Sequence, residues 1–362
     1  MAVTVRDVAH HARVSSGTVS RVLNGLDGVD EKLKARVLLA VQQLGYVHVP
    51  VRRSAPVSEI GFLLIVRDVE ESRSQVARFW ADVLFGAEQA ARESGTRIVF
   101  RALHGLDDAP ESALEQLADL RLRAALLVGP ATARTVGALR EAGLSLVLVD
   151  NAIGGSQVAA VLSDNFFGTT QLVDHLVALG HRDIAFIGGP AEPGRPGTNA
   201  IHSIWWRALG FRTALEQHGL PVRPELIEGC DLTQAGGAEA TRRLLNAGRF
   251  TAVVAANDPT AAGVMLALAG AGISVPDQVS VVGFDDDPAV HTEPALTTAH
   301  VDTQAMAELA VRLAMDSLAG AAVGAPHMTC TLPVHLVIRN STGPPPETPM
   351  TLIPPAARKD RQ

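Results

Sequence analysis

From Glu59 onward, short unbroken apolar runs alternate with helix-length stretches: "EIGFLLIV", "RIVFRAL", "AALLVGP" and "LSLVLVD", then "DIAFIGG", "AVVAAND" and "VSVVGFDD". A run of this kind, with no polar residue at every second position, is a strand buried on both faces. The intervening segments carry helical periodicity: Phe79 to Ser94, one ending near Leu120, one ending at Ala142, then Asp164 to Leu179, Trp205 to His218, Ala235 to Asn246 and Thr260 to Ala271. A further short strand is expected near Leu226. Strand alternating with helix defines an α/β class with doubly wound parallel sheets. The pattern restarts at Asp164 without a long linker. Two similar lobes in series predict a clamshell with a cleft at the carboxyl ends of the strands.

The first 54 residues differ in kind. They hold eight Lys and Arg against four Asp and Glu, a net +4, in a chain whose total is −7, so the remainder carries −11. A basic head on an acidic body predicts that the head meets an anion and the body does not. Thr4 can cap a first helix, with Asp7 in its first turn. Val5, Val8, Ala9 and Ala12 give that helix one apolar face. After "ARVSS", Ser15 or Ser16 can cap a second helix running to about Asn24. Val19, Val22 and Leu23 face inward on it, and Ser16, Gly17, Ser20 and Arg21 face outward. Asp30 can cap a third helix, striped by Leu33, Val37, Leu38, Val41 and Leu44 and closed by Gly45. The first two form a helix-turn-helix.

The words "VRDVAHHARVSSGTVSRVLNG…VDEKLKARVLLAVQQLGY" resemble the DNA-binding headpiece of the lactose-repressor (LacI/GalR) family of bacterial transcription regulators, with "DVA", "TVSRVLN" and "LGY" as the shared words. The resemblance implies an N-terminal all-α headpiece, residues 1–47, on double-stranded operator DNA. Its second helix would lie in the major groove, with Ser16 and Gly17 at the positions that read sequence and Arg21 as the base-contacting arginine. Thr4, Ser15, Thr18, Ser20 and Asn24 would hold phosphates. Two residues depart from the family: Gly17 offers a base no side chain, and Arg13 stands where the family usually has Gly. In the joint, residues 48–58, Ala55 stands at the family's wedging leucine, and Pro50 and Pro56 bracket it. Two readings stay open there: a plain Pro-bounded linker, or a segment whose Arg52 and Arg53 enter a narrow minor groove.

The stretches "LVDHLVALGHRDIAFIGGP", "RALGFRTAL", "AANDPTAAGVMLAL" and "VPDQVSVVGFDDDP" are similar to the ligand-binding core of the same family, which is periplasmic-binding-protein-like. This implies a core over 59–342, with lobe 1 formed by 59–162 and 296–322 and lobe 2 by 163–295 and 323–342. A helix from Val301 to about Gly320 would return to lobe 1, and a last strand near Thr329 to Ile338 would rejoin lobe 2. The Pro-rich tail 343–362 is expected to be disordered. The ligand residues implied are Phe79, Trp80, Asp150, Trp206, Arg207, Asn257 and Asp285. Sugar recognition needs acceptors and forked donors at fixed points, plus an apolar face. Phe79, Trp80 and Trp206 can equally be packing residues, and Asp285 a turn cap. Asp258, Asp286 and Asp287 read as caps and turn acids, Asp164 and Asn165 as a helix start, and His300 as a weak match near the ligand.

No GxGxxG follows the first strand, and no Walker motif or nucleophile elbow appears, so no enzyme is expected. Cys230 and Cys330 have no metal or redox spacing, and no cofactor is expected. No apolar run of about 18 residues occurs, and Arg6 and Asp7 interrupt any signal peptide, which predicts a cytoplasmic chain without membrane contact. The expectation is a homodimeric regulator, a repressor, acting on a near-palindromic operator under control of a mono- or disaccharide effector. A solute-binding protein, or a regulator answering a non-sugar ligand such as a nucleobase, is the alternative.

Overall fold

The computed structural model describes residues 4–23, 30–44, 46, 59–66, 76–106, 109, 111–189, 202–288, 290–318 and 328–347. The chain divides into two units, Met1–Val57 and Ser58–Gln362. The expected joint at 48–58 lies outside the described residues, as do 67–75 and 190–201.

In the first unit, α1 spans Val5–Ala12, α2 Ser16–Leu23 and α3 Glu31–Leu44. A capping box opens α1: the Thr4 hydroxyl accepts from the Asp7 N–H at 3.4 Å, and the Asp7 carboxylate accepts from the Thr4 N–H at 2.8 Å. The Thr4 hydrogen bonds hold the Asp7 carboxyl below the usual range. Val8, Ala9 and Ala12 meet Val19 and Val22 of α2 and Val37 and Ala40 of α3 in one small core. Arg36 on α3 donates to the Ala12 carbonyl at 2.6 Å, satisfying a group that the end of α1 leaves open.

Arg13 closes α1 with φ 53°, in the left-handed region. That conformation costs a side-chain-bearing residue about 1 kcal/mol or more, and glycine almost nothing. Arg13→Gly is therefore expected to slow amide exchange in α1 and α2 about fivefold, the equivalent of ~1 kcal/mol. Unchanged protection would show that the turn relieves its strain by another route.

The second unit holds two six-stranded sheets. The first contains β1 (Glu59–Val66), β2 (Arg97–His104), β3 (Ala124–Val128), β4 (Ser145–Val149), β5 (Ala159–Ser163) and β11 (Thr329–Leu332), in the order β11-β5-β4-β3-β1-β2. The second contains β6 (Ile184–Gly188), β7 (Ile227–Gly229), β8 (Ala252–Ala255), β9 (Ser280–Asp285), β10 (Thr297–His300) and β12 (His335–Val337), in the order β12-β10-β9-β8-β6-β7. Every pair is parallel except β10 with β12. The central strands β3, β6 and β8 are buried along their whole length, as the unbroken apolar runs require. Helices α4 (Val76–Glu93), α5 (Ser112–Gln116), α6 (Ala133–Glu141) and α11 (Thr303–Leu318) cover the first sheet. Helices α7 (Asn165–Ala178), α8 (His202–Gln217), α9 (Gln234–Ala247) and α10 (Asp258–Gly270) cover the second.

Three boundaries differ from the sequence expectation. Thr297–His300, assigned to lobe 1, pairs with β9 in the second sheet. The expected single strand Thr329–Ile338 is two: β11 pairs with β5 in the first sheet, and β12 pairs with β10 in the second. The tail does not leave the core at 343: the Gly343 N–H donates to Ser280 at 3.0 Å, and His181 bonds the Gly343 carbonyl at 2.9 Å. The helix α11 does return to the first lobe, packing on α4. The connections at Asp164, Val301 and Pro333 thus join the lobes three times.

Candidate functional site

In the head, Ser16, Gly17 and Arg21 are exposed on α2, on the side away from Val19 and Val22. The Ser15 hydroxyl accepts from the Thr18 N–H at 3.1 Å and bonds the Thr18 hydroxyl at 2.9 Å. Thr4 and Ser15 thus act as helix caps, and their position at helix N-termini also suits a phosphate. Ser20 lies on α2, but its side chain falls outside the description, as do Asn24, Arg52 and Arg53 entirely.

In the core, one cavity of about 700 Å³ opens at the carboxyl ends of the strands of both sheets. It is lined from one side by the ends of β1, β3 and β4, and from the other by those of β6 to β10. The orders β2-β1-β3 and β7-β6-β8 place a switch point in each sheet beside it, where open α/β sheets bind ligands.

Arg207 is the centre of the polar frame, with its side chain only 4% exposed. Its Nε donates to the Asn165 carboxamide oxygen at 2.7 Å, Nη1 to the Ala256 carbonyl at 2.6 Å and Nη2 to Asp285 at 2.9 Å. Its guanidinium also lies over the Phe284 ring at 3.7 Å. Asn165 in turn donates to the Ser163 carbonyl at 3.1 Å and reaches the Asp150 carboxylate at 3.5 Å, which also accepts from the Ser163 hydroxyl at 3.2 Å. A buried polar chain therefore runs from the end of β4 in one lobe to the end of β9 in the other. Gly210 makes it possible: α8 lies so close to α7 that a Cβ there would meet the Phe166 carbonyl oxygen at 2.5 Å.

Asp150, Leu232, Asp285 and Asp286 all line the cavity with positive φ, at 52°, 66°, 108° and 60°. Backbone strain at non-glycine residues persists where surroundings over-determine it, and it gathers at ligand sites. Burial pushes the Asp285 carboxyl up to about 6; Arg207 opposes the rise, and Asp150 and Asp287 reinforce it. Since the folded value lies above the ordinary 3.8, this group's stabilising contribution is complete below about pH 3.8 and drains away as pH rises through about 6. The stability difference between the wild type and Asp285→Asn should move in favour of the wild type as pH falls from 7.5 to 5, measured by urea unfolding. A flat difference would place the titration elsewhere.

Of the expected ligand residues, Phe79, Trp80, Asp150, Arg207, Asn257 and Asp285 all line the cavity. Phe79 and Trp80 meet edge to face, with centroids 4.8 Å apart, and both also pack on the main core. Asn257 is occupied as the cap of α10: its oxygen accepts from the Thr260 N–H at 3.0 Å, and its amide donates to the Leu232 carbonyl at 3.0 Å. Trp206 is a correction, since it does not line the cavity. Consecutive helical residues point about 100° apart, so Trp206 turns away where Arg207 faces in. Its ring packs edge-on to Phe166 and Trp205, and its indole N–H donates to His202 Nε2 at 2.9 Å. Asp258, read as a cap, is almost fully buried and accepts from Thr298 at 2.6 Å and from the Asp287 N–H at 2.8 Å. Burial raises its carboxyl well above the usual range.

His202, Asp82, Asp231 and Gln304 also line the cavity and went unread. The others were implied by the family resemblance, which gave these four no role. Asn165 was read only as a helix start; its reach to Arg207 spans 42 residues of sequence, and nothing local announces it.

An exposed recognition helix on a basic three-helix head, and a strand-end cleft in a two-lobed core, define a DNA-binding regulator with a ligand-binding domain. The family model for bacterial regulatory proteins of the lacI family matches residues 4–48, and that for a periplasmic binding protein-like domain matches residues 173–342. The HTH-type transcriptional regulator MalR of Streptomyces coelicolor is 32% identical over 355 residues, spanning 94% of this chain and 97% of MalR. Among solved structures, a lac repressor dimer bound to operator and the anti-inducer ONPF is similar with TM-score 0.72 at 26% identity, covering 95% of this chain and all of that one. A complex of the transcriptional regulator CelR with cellobiose is similar with TM-score 0.68 at 30% identity, covering 94% of this chain and 99% of that one. The chain belongs to the LacI family of bacterial transcription regulators. No helix among the described residues is long and apolar enough to cross a membrane.

Proposed function

We propose that this protein is a homodimeric, sequence-specific repressor whose operator affinity is set by a sugar bound between its two lobes. The observation that carries the reading is the buried chain Asp150–Asn165–Arg207–Asp285, which runs across both lobes beside the cavity and gives a ligand a means to act on their relative position. Cellobiose in the similar CelR complex, and the operator bound by the similar lac repressor dimer, support the effector class, the partner and the dimeric state. Acting on operator DNA, the chain works in the cytoplasm, and it carries out no catalysis of its own.

Mechanistically, Ser16 and Arg21 would read base edges, Arg21 through a paired contact to a guanine, while Thr4, Ser15 and Thr18 hold phosphates. A sugar hydroxyl in the cleft donates to the carboxylates of Asp150 and Asp285, and Phe79 or Trp80 covers an apolar ring face. Only a ligand that binds the closed and open lobes with different affinity changes DNA binding. The test is binding to DNA from upstream of the gene, with and without a panel of mono- and disaccharides. The expected result is a steep fall of affinity with salt and a shift caused by one sugar. Equal, weak retention of every duplex, unmoved by any sugar, would refute the reading.

A further inference from the structure

The described residues that line the cleft include six carboxylates, Asp82, Asp150, Asp231, Asp285, Asp286 and Asp287. Among the described residues, the cations beside them are already committed. Arg207 spends Nε and both Nη atoms on Asn165, Ala256 and Asp285. Arg339 is committed to Asp286 at 2.6 Å, and His300 bonds the other oxygen of Asp286 at 3.1 Å. His202 is held neutral by geometry: an indole N–H only donates, so the Nε2 that receives it carries no proton. Burial pushes the same ring toward its neutral form.

Two backbone donors at the end of the second sheet are committed in the same way. The start of α10 points at the cleft from the switch point of the second sheet, a place that in many folds takes a phosphate. Here the Asn257 side chain occupies the Thr260 N–H, and the Asp258 carboxylate occupies the Asp287 N–H. Those two donors are therefore closed to an anion.

We propose that this cleft selects against anionic effectors: it takes an unphosphorylated sugar and rejects the phosphate ester of that same sugar. The inference rests on the reading of the cleft as a sugar site and narrows it. A phosphate held within about 4 Å of these carboxylates would face like charge, with the guanidinium forks among the described residues already paired, a repulsion that costs a factor of about 100 or more in affinity. The regulator then senses its sugar ahead of the phosphoryl-transfer step that would consume it.

The full-length protein is titrated with a panel of mono- and disaccharides, each beside its phosphate ester and beside inorganic phosphate at matched ionic strength. Binding is followed by calorimetry and by thermal shift. One sugar is expected to bind, with its ester about 100-fold weaker or worse, and inorganic phosphate is expected to give no saturable signal. In Asp82→Asn/Asp231→Asn the gap between sugar and ester should narrow by about tenfold or more, since two carboxylates are removed and the amides keep the shape. An ester that binds as tightly as its sugar, or saturable binding of inorganic phosphate in the core, overturns the selectivity and leaves the sugar cleft standing. A gap unchanged in the double variant also overturns the electrostatic cause. Silence from every sugar and ester overturns the sugar site itself, and the selectivity with it.

Discussion

Arg207→Ala should cost the core about 3–5 kcal/mol, the range for removing one partner of a buried ion pair. The loss comes less from the pair than from what is stranded. Asp285 keeps a carboxylate with 14% exposure and no counter-charge, and Asn165 and the Ala256 carbonyl lose their donor. Stacking on Phe284 disappears with them. Lysine should recover little, because one ammonium cannot serve three acceptors in a plane. All three tryptophans, Trp80, Trp205 and Trp206, lie in this unit, so urea unfolding followed by their fluorescence reports on it directly. A drop in midpoint with unchanged slope is expected. Loss of less than ~1 kcal/mol would mean that the frame is not the keystone of the cleft.

The second large effect is confined to the head. Arg21→Ala should weaken operator binding by about 5- to 150-fold, corresponding to 1–3 kcal/mol for a paired base contact, and should relax specificity at one base pair in each half-site. Because Arg21 is exposed and outside the head's small core, melting of the head should be unchanged. Sugar binding to the core should also be unchanged. A uniform loss across all duplexes, with a shallower salt slope, would make Arg21 a phosphate contact instead.

How far the residues announced this arrangement varies by element. The unbroken runs "EIGFLLIV", "AALLV" and "AVVA" announced the central strands, because a strand buried on both faces leaves no room for alternation. The strand Thr297–His300 stayed silent. Its threonines are buried yet polar, and they are tolerable there only because Asp258, Thr342 and the Arg339 N–H meet their hydroxyls. Those partners lie about 40 residues away, so no local pattern carries them. Arg207 and Asp285 were legible through their motifs. Trp206 was misplaced because a motif fixes a neighbourhood and not the rotational phase of a helix.

The order of runs and helices, the caps at Thr4, Ser15 and Asp30, and the excess of charge in the head follow from the chain alone, since each depends on residues within a few positions of one another. Only the folded molecule settles which strand joins which lobe, that Asn165 links Asp150 to Arg207, and that Arg207 and Arg339 beside the cleft are already paired. Those outcomes depend on contacts between distant segments, and burial, which makes an unmet polar group costly, chooses among them only once the chain has closed.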